Sequence, residues 1–406
     1  MSFLGSFGGG VGRASAALLR HRMISATAGT AAAVIVAGCT FAATSAHGSG
    51  QDNLVNAGDT KPITKSSAPA KPLRLLSVSP TGGAHNANGG APITLKFSSP
   101  LSPSTPLPTL SPKTAGSWNV SGASATFTPS SGYLPETKVT VKIPATMTGA
   151  KTAPLNTAST VSFTTGNYST VRLQQILTQL GYLPFTWTAT ASGSASASSA
   201  PVGANEQVSE AYAPPAGTFT FKPGYPIQLT SQWTAGQNNM LDVGAIRAFE
   251  YNEGLTMDGD AGPEVWSHLL TAAAENKVNP SGYTYALASQ DSPDESLKVW
   301  HNGKVILDTP ANTGIAAANT QDGTFPVYEK LQFQVMQGTN PDGSKYSDPV
   351  YWISYFNGGD AVHYFDRGSY GWYQSLGCVE LPLSPAKFIW PYLTYGTLVT
   401  VTGPVA

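Results

Sequence analysis

The feature that most limits how this chain can fold is its punctuation: short alternating apolar runs, each cut off within a few residues by Gly, Pro, Ser or Asn, recur over two long stretches. Between Leu73 and Gly166 the runs are Leu75 to Val78, Ile93 to Phe97, Trp118 to Val120, Ala125 to Phe127, Val139 to Ile143 and Val161 to Phe163. A period of two puts alternate side chains on one face of a strand, and turn residues at this spacing leave little length for helices. The stretch reads as a β-sandwich, with nothing catalytic in it. From Tyr283 the pattern resumes with Tyr283 to Ala288, Leu297 to Trp300 and Lys304 to Leu307, the last two joined by the hairpin signal Asn302-Gly303. His301 falls at that turn and is a poor ligand candidate.

Between the two strand-rich stretches the period changes. Val171, Leu173, Ile176, Leu177 and Leu180 share one helical face, with Gly181 as the stop. The segment from Asp242 to Leu270 supplies two more helices around a Gly-rich turn. Residues from about 186 to 235, with a Ser/Ala run and a Pro-rich remainder, read as an insertion low in structure. At the other end, Arg20-His21-Arg22 precedes an apolar, Ala-rich run from Met23 to Gly38, of signal-peptide length and short for a membrane span. Residues 40–72 hold few bulky apolar side chains and read as a flexible tether. A chain of 406 residues is too long for one core. The expected organisation is therefore a leader over 1–39, the tether over 40–72, the sandwich over 73–166, the helical module over 167–277 and a mostly-β domain over 278–406. With 11% charged residues and a formal net charge of −1 there is no basic surface for a nucleic-acid partner.

The chemistry-bearing residues are few. The two cysteines, Cys39 and Cys378, cannot build a disulfide framework. Cys378 follows His363 by 378 − 363 = 15 residues, with Gly368, Ser369 and Gly371 between, which suits two adjacent strands joined by a loop that folds back. A thiol is mostly protonated at ambient pH and needs an imidazole to take its proton. Gly377 leaves room for substrate to approach the backbone and for peptide N–H groups to face a developing oxyanion. A lone Cys is also often a small buried apolar residue, so the pair by itself leaves both readings open. No His-x-x-x-His or Cys-x-x-Cys spacing occurs, so neither a metal nor another cofactor is expected.

Val362-His363 followed by Ser375-Leu376-Gly377-Cys378-Val379 resembles the His…Ser-x-Gly-Cys-(Val/Ile) signature of L,D-transpeptidases, the YkuD-type cysteine enzymes that cross-link peptidoglycan. His precedes Cys in that family, whereas papain-like and cell-wall amidase cysteine enzymes run Cys before His. Asn312 to Ile315, Gln321 to Tyr328 and the closing Trp390 to Thr402 resemble further family segments, so the likeness covers about 283 to 403. The order of strands from Val78 to Thr165 resembles bacterial Ig-like wall-protein domains. The Leu173-Gln174…Leu180-Gly181-Tyr182 and Phe249-Glu250…Trp266 patterns resemble a peptidoglycan-binding module, with Glu250 in place of the usual Gln; it would bind wall or serve as architecture. Val36-Ala37-Gly38-Cys39 resembles a bacterial lipobox, which implies an exported, membrane-anchored lipoprotein lipidated at Cys39; ordinary cleavage after Thr44-Ser45-Ala46 is the alternative.

The resemblance implies that Cys378 attacks a donor tetrapeptide stem, expels the terminal D-residue and holds the acyl group as a thioester, with His363 as the proton carrier, the Gly377 and Cys378 N–H groups holding the oxyanion and peptidoglycan stem peptides as partners. It also implies covalent inhibition by a carbapenem. Tyr364 stands where Gly or Ser is common, so only its backbone carbonyl could orient the imidazole. Leu376 stands where a second His is often found, and Tyr346 matches a Tyr lining the substrate cleft. Ser375 is expected to orient the loop or the substrate. Glu380 replaces Arg or Asn; an acid there would oppose the thiolate unless it points away or meets the cationic amine of the acceptor, and the second is expected. Asp360 and Asp366 read as solvated turn residues. A stem carboxypeptidase using the same residues and a non-catalytic wall-binding lipoprotein remain the alternatives.

Overall fold

The computed structural model describes residues 69–190 and 204–403; the leader, Cys39 and most of the tether lie outside the described residues. The N-terminal body is the expected antiparallel sandwich. One sheet orders Leu75–Ser79, Ile93–Phe97, Ser124–Pro129 and Gly116–Ser121, and the other orders Thr109–Ser111, Lys138–Ile143 and Ser159–Thr164. In Lys138–Ile143 every second residue, Val139, Val141 and Ile143, is buried against Leu95, Phe97, Phe127 and Phe163. That alternation fixes the register, because a slip of one residue would turn all three outward. Pro72 pairs with Ala153 and Leu73 is buried, so the sandwich takes up the last residue of the segment read as tether.

The helical module departs from expectation in the insertion. Phe185–Ala189 and Gly217–Phe221 form a two-stranded ribbon, and Ala204–Tyr212 and Ile227–Thr230 are helices. Residues 191–203 lie outside the described residues. The ribbon is held by an aromatic cluster in which the Phe185 ring stands 4.1 Å from Phe221 and 4.2 Å from Trp233. Aromatic pairs at such separations add about 0.5–1.5 kcal/mol beyond the area they bury. The helix Ala204–Tyr212 joins two bodies: Tyr212 Oη donates to the Tyr133 carbonyl of the sandwich at 2.8 Å, and Glu210 pairs with Arg172 of the helix Thr170–Gln179. The latter helix is consequently buried beyond its apolar face, with Arg172, Gln174 and Gln175 also covered. Gln174 donates to Asp242 Oδ2 at 3.0 Å, so its burial is compensated.

The helices Met240–Glu253 and Pro263–Glu275 follow where expected, the first opened by an Asn239/Asp242 capping box and closed by Gly254 at φ 70°. Their core is continuous with the last domain, since Tyr285, Trp300 and Leu398 belong to the same buried cluster as Phe249 and Leu269. Gly244 and Gly396 make the seam possible: a side chain on either would strike the backbone carbonyl of the other. The module is thus welded to the sheet behind the site.

The C-terminal domain contains a five-stranded sheet ordered Lys304–Pro310, Ser296–His301, Thr284–Ser289, Leu398–Thr402 and Gly323–Pro326. A four-stranded sheet runs Glu329–Thr339, Lys345–Asn357, Asp360–Tyr364 and Val379–Leu381. Between them Val299, Val327, Phe356, Val362, Val379, Leu381 and Val401 form the core, with Ala386 and Ile389 of the helix Leu383–Ile389. The expected hairpin at Asn302-Gly303 is present, with φ of 48° and 78° at the two turn residues. No helix among the described residues is long and apolar enough to cross a membrane.

Candidate active site

The strands Asp360–Tyr364 and Val379–Leu381 run parallel, with Val362 opposite Val379 and His363 opposite Glu380. Opposed residues share a face. Val362 and Val379 turn into the core, which sends His363, Glu380 and, one step earlier, Cys378 to the other side. There they meet a cleft of about 700 Å³, walled by Met336, Tyr346, Asp348 and Val350 of the long hairpin and by Leu376 at the rim. This is the size of a small-ligand site, typically about 300–1,000 Å³.

His363 is 2% exposed, and its Nδ1 bonds the Tyr364 carbonyl at 3.0 Å. A carbonyl can only accept, so Nδ1 carries the proton and Nε2 keeps the free lone pair. Burial pushes the imidazole below its ordinary pKa, against the Tyr364 carbonyl and Glu380, which raise it; Arg367 lowers it further. The ring is therefore a neutral base at neutral pH. Cys378 is half-buried, and its Sγ donates to the Gly359 carbonyl at 3.7 Å. Burial pushes the thiol up to about 12; a backbone bond at Ala361 works against this, while Asp360 and Glu380 add to it.

The sequence reading expects the thiol beside an imidazole that takes its proton. The structure brings them to one cleft on neighbouring strands but gives the thiol to the Gly359 carbonyl and the imidazole to that of Tyr364. In the register of the two strands Glu380 is level with His363, and Cys378 lies two residues before Glu380.

The loop before Cys378 is built around Ser375, which is 1% exposed. Its Oγ donates to the Cys378 carbonyl at 2.6 Å and accepts from the Gly377 N–H at 3.2 Å. This corrects the expectation that both Gly377 and Cys378 face the oxyanion: the Gly377 donor is occupied, and only the Cys378 N–H is not engaged by that hydroxyl. Gly377 sits at φ +114°, and a Cβ there would run into Asp360 Oδ1. Tyr346 lies in the cleft wall, its ring packed over Gly338 where no side chain intervenes. Leu376 is 37% exposed.

Glu380 differs from its expected role. It is 4% exposed, and both carboxylate oxygens are taken by Arg367, Oε2 by Nε at 2.8 Å and Oε1 by Nη2 at 2.7 Å. It anchors an arginine and is not free to receive an amine. Arg367, which the sequence did not single out, also donates to the Gln374 carbonyl at 3.0 Å and lies over the Phe365 ring at 4.6 Å. Asp366 is exposed, as a turn residue should be. Asp360 is not: it is half-buried in the cleft, and burial lifts its carboxyl to about 6 despite hydrogen bonds from Gln321 and Asn357.

Residues 289–401 match the family model of the L,D-transpeptidase catalytic domain, YkuD, and residues 69–165 that of the bacterial Ig-like domain, Big_5. The chain thus carries a YkuD-type L,D-transpeptidase catalytic domain behind an Ig-like domain. Among solved structures it is similar to an L,D-transpeptidase from Mycobacterium smegmatis, at 14% identity over 82% of this chain and 100% of that one, TM-score 0.28. It is also similar to the catalytic domain of the E. faecium L,D-transpeptidase, at 28% identity over 29% of this chain and 96% of that one, TM-score 0.27. A third is L,D-transpeptidase 3 from Mycobacterium tuberculosis in complex with a faropenem-derived adduct, at 12% identity over 81% and 98%, TM-score 0.28. No curated protein matches the chain.

Proposed function

We propose that the protein is an exported L,D-transpeptidase that joins peptidoglycan stem peptides through a thioester on Cys378. The observation that carries this reading is the pairing of the strands bearing His363 and Cys378, which turns both side chains into one cleft inside a domain matched to the transpeptidase family. In the resting site both partners are neutral, so the thiol proton moves to His363 Nε2 as sulfur attacks, without a preformed ion pair. The S–C bond forms, the developing oxyanion meets the Cys378 N–H, and collapse breaks the C–N bond to the terminal D-residue. That residue leaves as an amine with the proton from the imidazolium. An acceptor amine then attacks the thioester and gives one proton to His363 Nε2; C–N forms, C–S breaks, and His363 passes that proton to sulfur.

The same nucleophile should open a carbapenem ring. Intact mass after incubation is expected to rise by one drug equivalent in the wild type and by none in Cys378→Ala. An unshifted wild-type mass counts against the assignment.

The lipobox-like sequence ending at Cys39 supports a diacylglycerol anchor. A single chain binds membranes only marginally, whereas two or more hold a protein firmly. Wild-type protein from cells is expected in the detergent phase, and Cys39→Ala in the aqueous phase; equal partitioning would exclude the anchor.

A further inference from the structure

Asp360 carries a charge that the acylation chemistry does not use. Its Oδ2 accepts a long amide hydrogen bond from Asn357 Nδ2 at 3.4 Å, and no Lys or Arg among the described residues pairs with it. The other cations of the cleft are engaged elsewhere: Arg367 on Glu380 and Lys345 on the Thr339 hydroxyl. Yet its Oδ1 lies directly against the Gly377 backbone, where a methyl group would collide with it, and Gly359, whose carbonyl holds the thiol, is the preceding residue. An anion in this place opposes thiolate formation at Cys378. It is therefore costly for the first half of the reaction. A cation arriving in the second half would reverse that sign.

We propose that Asp360 forms the acceptor subsite, holding the ammonium of the incoming acyl acceptor beside the Cys378 thioester. This rests on the transpeptidase reading. A cation of the size of a primary ammonium neutralises the carboxylate, is positioned by it, and excludes water from the face of the thioester it occupies. The ammonium loses one proton to water. The amine nitrogen forms the C–N bond, its second proton passes to His363, the C–S bond breaks, and sulfur takes that proton back. The acid is suited to the task because it acts on Cys378 with Tyr328 nearby, while Glu380, the other acid that acts on the thiol, is already neutralised by Arg367. Asp348, on the opposite wall, lies toward Arg367.

The test uses the full chain, a tetrapeptide stem donor and a diamino-acid acceptor, with Asp360→Asn and Asp360→Glu. For Asp360→Asn the acceptor KM is expected to rise about tenfold, the size of one lost charge pair in a half-buried site, with donor KM unchanged and products shifting from amide transfer toward hydrolysis. In the same variant, alkylation of Cys378 by iodoacetamide is expected to speed up and its pH midpoint to fall. Asp360→Glu, which keeps the charge, should hold the acceptor KM within about threefold. A merely structural role would slow both alkylation and transfer. Unchanged acceptor KM in an Asp360→Asn enzyme that still acylates overturns the subsite alone. A wild-type enzyme that forms no acyl intermediate from the donor overturns the transpeptidase reading and the subsite with it.

Discussion

Cys378→Ala is expected to abolish stem-to-stem cross-linking while leaving the fold in place. Loss of a nucleophile that forms a covalent intermediate lowers turnover by on the order of 10⁴-fold or more, because no neighbouring group can substitute for the broken two-step path. The structure argues that stability will be spared. The side chain is half-buried beside Ala361, Ile353 and Val350, its bond to the Gly359 carbonyl is a long sulfur contact, and a methyl group keeps the apolar contacts at a cost of about 1 kcal/mol. Mass spectrometry of digested wall incubated with each enzyme measures the result, with thermal melting as the control; full cross-linking by the variant would remove Cys378 from the chemistry. The wild-type pH behaviour adds a sign. With the thiol held up toward about 12, alkylation of resting enzyme should stay slow through pH 9 and climb above it, unlike a free thiol near about 8.5. Turnover should instead fall on the acid side, as pH drops through the depressed imidazole pKa and the base is lost.

What the sequence disclosed and what it hid follow from the range of the interactions involved. The sandwich was legible because one buried face imposes strict alternation, as in Val139, Val141 and Ile143. The Asn302-Gly303 hairpin and the helix end at Gly181 were legible because left-handed backbone selects the residue type locally. The ribbon in the insertion was hidden although Phe185 and Trp187, then Phe219 and Phe221, do alternate; the Ser/Ala run between them masked two strands that pair 217 − 189 = 28 residues apart at their near ends. In the cleft, Cys378 and His363 stand out as rare residue types at a spacing that suits paired strands. The roles of Arg367, Glu380 and Asp360 depend on how the loop from Phe365 to Tyr373 folds back and on Gln321 and Asn357 arriving from elsewhere. Gly358-Gly359-Asp360 has the composition of a solvated turn, and only the tertiary fold covers its carboxyl.

Arg367→Ala is expected to be the most destabilising single change among the cleft's charged residues, by about 2–4 kcal/mol. Stripping the partner from a buried ion leaves an uncompensated charge, which costs about 3–5 kcal/mol when both groups are fully covered. Here the side chains are 29% exposed for Arg367 and 6% for Glu380, so water screens part of the loss. The asymmetry gives the prediction its direction. Glu380→Gln leaves an arginine that still reaches the Gln374 carbonyl, the Phe365 ring and solvent, and should cost clearly less than Arg367→Ala. The double variant should be more stable than Arg367→Ala alone, because the orphaned carboxylate is gone. Urea unfolding at constant m-value resolves these differences. A strictly additive double variant would mean that the pair contributes no coupling. The arginine would then owe its place to packing against Phe365 and to its bond to the Gln374 carbonyl.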